Sequence, residues 1–484
     1  MLKNILNVLK GWLLILNKYK RLLGNSAIFA VGSIGIKVVQ LILVPMYTYC
    51  LTTSQFGKVD FINNLVSILA PIVYVGITQS VFRFALDEEI DKQKVFSTGI
   101  IFFAGVSMII AILGIFLERL SIDYIWYISL LLIFTTLNEM TLDYIRAIGY
   151  IREYAIAGIV YASSMGVANV ILLTCLHLKI QGYLNAILIG QLVSMGYVFI
   201  VTPAIRHIHI HKFRYKLLKD MCIYSLPLIP NIFSWWINSA SDRFFILLML
   251  GSSSAGVYAI INKFPTVIVS VMEVFSRSWQ MSAVEEYGSK DDKVFISNVF
   301  EYMISILFVC SVMLLSVIKP AVKILLSPAY YKGWMLVPYM LLAINYSSVA
   351  NFLGSLYTAS KKTKEVLYST FLGAIINVVF TIILIKVIGI YGAIVANIMS
   401  FLVIDIYRYI QMYNLNKIKI NYIKLLILNG LFIVASLSTL LIKNYIETFA
   451  ICIVCIIFQV LFDNDLFRSL KNIYTVTKRR IKRD

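Results

Sequence analysis

The chain has 484 residues, 60% of them apolar and only 14% charged, whereas a soluble domain carries about a quarter charged residues. That composition excludes a soluble enzyme. It also excludes a nucleic-acid-binding module despite the formal net charge of +19, because no soluble domain is left to carry one.

Residues 1–24 come first. Leu2, Ile5, Leu6, Leu9, Leu13 and Leu16 recur at helical spacing, with Lys3, Asn7, Lys10 and Asn17 mostly opposite. This pattern predicts an amphipathic helix lying on the cytoplasmic membrane surface rather than a removable signal. Apolar segments of spanning length then follow at about 25–50, 60–82, 97–117, 124–145, 155–177 and 182–204. A second series lies at about 223–249, 253–277, 296–318, 334–359, 366–386 and 390–412, and a final pair at about 424–442 and 446–463. The expected fold is therefore an all-α polytopic membrane protein with about fourteen transmembrane helices.

Charge placement sets the orientation. Most of the 43 Lys and Arg residues fall in alternate loops and both terminal segments, including Arg83, Arg146, Arg206, Lys212, Lys364, Arg408, Lys424 and Arg479. The opposite loops hold only Lys58, Arg119, Lys179, Lys319, Lys323, Lys332, Lys386 and Lys443. By the positive-inside rule both termini are cytoplasmic. The outer loops are all short, which leaves no room for an external catalytic domain and argues against a membrane glycosyltransferase.

The chain reads as built twice. Leu51–Gly57 (LTTSQFG) closes the first span and Leu250–Gly256 (LGSSSAG) closes the seventh. Pro71 and Arg83 have the same separation as Pro265 and Arg277, and Asn169 and Gly182 find counterparts in Asn377 and Gly392. The expected organisation is an N-terminal lobe at 25–222, a C-terminal lobe at 223–423, and two extra helices with a basic tail at 424–484. Two six-helix lobes would then surround a central cavity. Prolines at 45, 71, 227, 230 and 265 fall in the first two spans of each lobe, where they free backbone groups and permit bends.

Lys37, Arg243 and Lys263 remain within spans, where each charge costs about 2.5–3.5 kcal/mol on insertion scales. Such charges are expected to line a polar cavity, which makes the chain a transporter of an anionic substrate. Asp242 stands beside Arg243, about 100° round the helix, and pairs most naturally with Lys263; Arg243 and Lys37 have no acidic neighbour evident in the sequence. Glu139 and Asp143, with Arg146 one turn on, and Glu273 with Arg277 form i,i+3 and i,i+4 sets. With Arg83, these residues are the candidates for gating or proton coupling. The run His207–His211 resembles a metal site, but alternate spacing gathers three rings only on a strand, so no metal is assigned. Cys452 and Cys455 lie in an apolar run and read as two small residues on one helix face, not as a redox motif.

Several stretches, in order along the chain, resemble polysaccharide flippases of the Wzx type, members of the multidrug/oligosaccharidyl-lipid/polysaccharide exporter superfamily. They are Pro45–Asp60 (PMYTYCLTTSQFGKVD), Ser225–Asn231 (SLPLIPN), Ser241-Asp-Arg243, Gly256-Val-Tyr258, Tyr144–Gly149 (YIRAIG) and Gly389–Ala393 (GIYGA). The resemblance implies a bacterial inner-membrane flippase that carries an undecaprenyl-pyrophosphate-linked oligosaccharide by alternating access. It would serve O-antigen, capsule or other surface polysaccharide assembly, alongside membrane lipids, a polymerase and chain-length proteins. It also implies a cationic central cavity, supplied here by Lys37, Arg243 and Lys263 with Asp242. No cofactor is implied; a proton or sodium gradient or the membrane potential would drive transport. The rival readings are a flippase of lipid II or another lipid-linked precursor, and a cation-coupled multidrug exporter, although the first span carries Lys37 and no acid.

Overall fold

The computed structural model describes residues 39–463 except 88, 120–122, 287–291, 361–362 and 416–417. The expected interfacial helix at 1–24, Lys37 and the basic tail beyond residue 463 lie outside the described residues, as do both termini.

Every regular element described is helical. In chain order they are α1 (Val44–Cys50), α2 (Thr53–Val73), α3 (Ile77–Ala85), α4 (Lys92–Glu118), α5 (Ile125–Ala147), α6 (Ile151–Asn169), α7 (Lys179–Val201), α8 (Tyr215–Ser225) and α9 (Ile229–Leu250). They continue with α10 (Ser252–Ile261), α11 (Thr266–Glu286), α12 (Asp292–Leu325), α13 (Val337–Ala359), α14 (Thr363–Ile388), α15 (Ile390–Asn414), α16 (Tyr422–Leu441) and α17 (Tyr445–Phe462). Among the described residues, eleven helices are long and apolar enough to cross a membrane, or twelve if α10 and α11 form one bent span. The first expected span is described only from Val39, as a short apolar helix to Cys50. The seventh is α9, a continuous helix whose apolar run contains Asp242 and Arg243. The protein is a multi-pass membrane protein.

The helix ends follow local chemistry. Asp91 caps α4 by accepting from Gln93 N at 2.9 Å, and Asn444 caps α17 by accepting from Ile446 N at 3.0 Å. The prolines mark breaks. Pro71 lies inside α2, which ends before Val75 and Gly76, both in left-handed conformation. Pro265 closes the break between α10 and α11, whose axes differ by 47°. Bends therefore occur where the prolines of the second spans predict them.

The chain divides into two compact units, one of residues 1–43 and 62–232, the other of 44–61 and 233–484. In the first unit α3 packs on α4, α5 and α8, and α6 on α7. Its core is Tyr74, Ile77, Val81, Phe96, Met140, Tyr144 and Met221, with Phe96 stacked on Tyr144 at 4.1 Å between centroids. One face of α4 (Met108, Ile109, Ile112, Phe116) is exposed and apolar, as a lipid-facing surface is.

In the second unit α12 is the central post, packed by α16 and α17, while α14, α13 and α15 pack closely together. The last two helices are fastened by charge. Lys424 on α16 meets Asp463 at 2.7 Å and Glu301 of α12 at 3.5 Å, and Gln459 donates to the Ser305 carbonyl at 2.9 Å. Cys452 and Cys455 are buried free thiols.

The two repeated sequences meet inside this unit. Thr53 Oγ1 bonds Ser253 Oγ at 2.7 Å, and Ser54 Oγ bonds Ser252 Oγ at 2.6 Å. Each repeat position touches its partner's neighbour reciprocally, the signature of a twofold contact. The second repeat signal has a physical cause too. A methyl on Gly182 would crowd the Leu172 carbonyl at 3.2 Å, and one on Gly392 would overlap the Leu384 backbone. At each position a spanning helix turns tightly against the one before it.

Candidate functional site

Asp242 and Arg243 sit midway along α9, and each is held by a different set of partners. Asp242 is 3% exposed. Its carboxylate accepts from the Tyr258 hydroxyl of α10, from Asn397 Nδ2 of α15 at 3.1 Å and from the Arg243 backbone N–H at 2.8 Å. Asn397 Oδ1 accepts from Asn377 Nδ2 of α14 at 2.6 Å, and Asn377 Oδ1 accepts from Ser241 Oγ at 3.2 Å. One turn back, Asn238 donates to the Thr370 carbonyl at 3.1 Å and accepts from Ser400 Oγ at 3.2 Å. A polar seam thus joins α9 to α14 and α15, its members mutually satisfied as low-dielectric surroundings demand. The Ser239 side chain lies outside the described residues.

Arg243 turns the other way. Its Nη1 lies 3.4 Å from Asp60 Oδ1 on α2, and its buried Nε–H has no acceptor among the described residues. Sequence reasoning gave Arg243 no acidic neighbour; the fold supplies Asp60. Lys263 stands in the break between α10 and α11, and Asp60 and Arg243 are its electrostatic neighbours. The expected Asp242–Lys263 pairing is replaced by the Tyr258 and Asn397 contacts. Two bases therefore face two acids here.

Asp242, Arg243, Tyr258 and Asn397 border a chamber of about 410 Å³ within the second unit, whose lining does not include Lys263 or Asp60. Its wall carries Arg243 and Glu273 with amides and hydroxyls from Asn262, Ser347, Asn351 and Asn397, and the indole of Trp235. Mixed amide, hydroxyl and aromatic lining is suited to a polyhydroxylated ligand. The Arg277 side chain lies outside the described residues.

In the first unit, Glu139 borders a separate cavity of about 150 Å³ with Tyr74, Gln79 and Thr136. Asp143 pairs with Arg146 at 3.0 Å, as their spacing predicts, and the Arg146 guanidinium lies 4.0 Å from the Phe82 ring centroid. Arg83 is exposed on α3. His207 bonds the Tyr144 hydroxyl through Nδ1 at 2.7 Å. Among the described residues no group of three His, Cys, Asp or Glu is placed to hold a metal.

Two further residues depart from the sequence reading. Arg408, expected in a cytoplasmic loop, is 1% exposed among helices. Lys424, expected in the same class, is buried in its ion pairs. In both cases a long cation near a span end found acceptors inside the protein.

A family model described as polysaccharide biosynthesis protein matches residues 22–279. No curated protein sequence matches the chain significantly. Solved structures with a similar fold include the lipid II flippase MurJ in an inward closed conformation (TM-score 0.70, 14% identity, 91% of this chain and 99% of that one). Another is an inward-facing multidrug resistance MATE family transporter of the MOP superfamily (TM-score 0.64, 14% identity, 79% and 96%). A third is a MOP superfamily transporter from Pyrococcus furiosus, described as having a binding pocket of reverse polarity (TM-score 0.55, 14% identity, 81% and 95%). At these identities the likeness is one of fold.

Proposed function

The chain belongs to the polysaccharide biosynthesis protein family, and we propose that it flips an undecaprenyl-pyrophosphate-linked oligosaccharide from the cytoplasmic to the outer leaflet of the inner membrane. Transport would proceed by alternating access, for O-antigen, capsule or another surface glycan. No covalent chemistry is required, only a polar path for the head group while the lipid tail stays in the bilayer.

The observation that carries this reading is the state of Arg243. Its contact with Asp60, at 3.4 Å, is longer than the roughly 2.7–2.9 Å of a strong charge-assisted bond. Its Nε–H is buried without an acceptor among the described residues. The guanidinium can hold two phosphate oxygens at once through Nε and Nη, whereas its contact with Asp60 is made at Nη1. Asp60 then acts as a resident counterion that phosphate displaces. Asn262, Ser347 and Asn351 would bond sugar hydroxyls, with Trp235 offering an apolar surface.

Membrane potential favours the outward direction. Each charge moved through 100 mV is worth about 2.3 kcal/mol, so two phosphate charges leaving a negative interior gain about 4–5 kcal/mol.

Asp242 and Glu273 on the same chamber wall favour a second reading, an exporter of cationic compounds. Reconstituted liposomes decide between them. A labelled lipid-linked oligosaccharide should change leaflets with the wild-type protein and not with Arg243→Ala, while a fluorescent cationic drug should not accumulate. Drug transport that survives Arg243→Ala, without glycan flipping, would overturn the proposal.

A further inference from the structure

The second unit contains a charged pair that the chamber does not use. Asp405 and Arg408 lie one turn apart on α15, 8% and 1% exposed. Arg408 is among the largest fully buried side chains. Its Nη1 donates to the Ala350 carbonyl of α13 at 2.6 Å, its Nε to Ser369 Oγ of α14 at 2.9 Å, and its Nη2 to Thr370 Oγ1 at 2.9 Å. Gly354 makes room for it, since a methyl there would lie 2.7 Å from Nη1. Each of these acceptors is a neutral carbonyl or hydroxyl.

Asp405 has the opposite problem. Both carboxyl oxygens are buried with no hydrogen-bond partner among the described residues. No ion pair joins it to Arg408, although i,i+3 spacing would permit one. An ionised carboxylate without donors is among the costliest groups to bury, and a neutral acid much less so. Arg408 is the charged neighbour of Asp405 on its own helix, and Tyr346 of α13, whose hydroxyl bonds Asn429 at 3.2 Å, is also near it. Glu365 of α14 is engaged by Tyr407 at 3.1 Å and Gln411 at 3.0 Å. Tyr357 of α13 bonds Gln411 at 2.8 Å and the Arg408 carbonyl at 3.2 Å.

We infer that Asp405 is a proton-binding site, neutral in this conformation, whose release of the proton to water re-partners Arg408 and so couples the proton to helix packing. With Asp405 ionised, the guanidinium one turn away gains a counterion. Moving to it means leaving Ala350, Ser369 and Thr370, which tie α13 and α14 to α15. One proton leaves to water, no other covalent bond forms or breaks, and the hydrogen bonds among three helices change. The site is distinct from Glu139 and Glu273, the acids that sequence spacing singled out. The link to transport, but not the protonation itself, rests on the flippase reading.

Infrared difference spectroscopy of the full-length protein in lipid tests the protonation. At neutral pH the wild type should show the carbonyl stretch of a protonated carboxyl, shifted by ¹³C-aspartate labelling and lost in Asp405→Asn. Absence of any aspartic-acid band in labelled wild type, or its persistence in Asp405→Asn, overturns the proposal. Labelling keeps the test decisive if Asp405→Asn fails to fold. The coupling is read from glycan flipping in liposomes under an imposed pH gradient. Wild-type flipping should respond to the gradient and Asp405→Asn flipping should lose that response; an equal response in both overturns the coupling. If the wild type flips no glycan, the flippase reading fails while the spectroscopic result on Asp405 still stands.

Discussion

Gly57 and Gly256 meet backbone to backbone: a methyl built on either would lie 2.9 Å from the other's amide nitrogen and would overlap a carbonyl oxygen, that of Ser252 or of Thr53. The two residues close matching sequence repeats, so their reciprocity in space follows from their equivalence in sequence. Only a residue without Cβ allows this approach.

Gly57→Ala and Gly256→Ala should therefore destabilise the protein by similar amounts, about 1–3 kcal/mol each, because neighbouring backbone must move. The double variant should lose less than their sum, since the first methyl already separates the helices. Thermal unfolding of the three purified variants tests both statements. Unequal single effects would show that the contact is not a true twofold.

Asp60→Asn removes the counterion of Arg243, whose side chain is 22% exposed against 12% for Asp60. Loss of one partner from such a pair costs about 3 kcal/mol of stability. The same change should strengthen anion binding. Inorganic pyrophosphate should raise the melting temperature of Asp60→Asn more than that of wild type, and that of Arg243→Ala not at all. A larger effect on wild type than on Asp60→Asn would remove the role of Asp60 as a displaceable counterion.

Tyr258→Phe deletes the hydroxyl that donates to Asp242. The carboxylate keeps Asn397 and the Arg243 amide, so the expected loss is about 1–3 kcal/mol rather than unfolding. Chemical denaturation compared with Tyr258→Phe/Asp242→Asn measures the coupling. Additivity in that cycle would place the hydroxyl's main partner elsewhere.

The apolar runs and prolines made most helices and both breaks legible, because span length and backbone hydrogen bonding leave a membrane chain few alternatives. The matched glycines were visible as a repeat, though not that they touch. Asp60 was not legible as the partner of Arg243: it lies just past the first repeat, and its pairing is a tertiary fact. Arg408 misled for a related reason. A cation near a span end looks like a loop marker, and only the fold reveals that α13 and α14 supply its acceptors. Asp405, three residues before it, was the available signal.

Below the ordinary histidine range the protein should lose stability through His207. Burial lowers its pKa, with His209 and Lys212 acting in the same direction and Asp91 opposing them. A folded-state value below the unfolded one means that the unfolded chain takes up the proton first. The contribution is thus complete above the unfolded pKa and falls as pH drops through it toward the folded value. His207→Gln should flatten this acid limb in a melting-temperature profile, and an unchanged limb would assign it to another group.

The lysine clamp at the start of α16 has a practical bearing on how the polypeptide can be shortened. Lys424 answers both Asp463, the last residue before the tail, and Glu301 on the central post. Ending the polypeptide ahead of Asp463 would strip the lysine of its nearer carboxylate, and ending it ahead of α16 would leave Glu301 without its cation. Reporter fusions and affinity handles therefore belong beyond residue 463, where they leave the clamp whole.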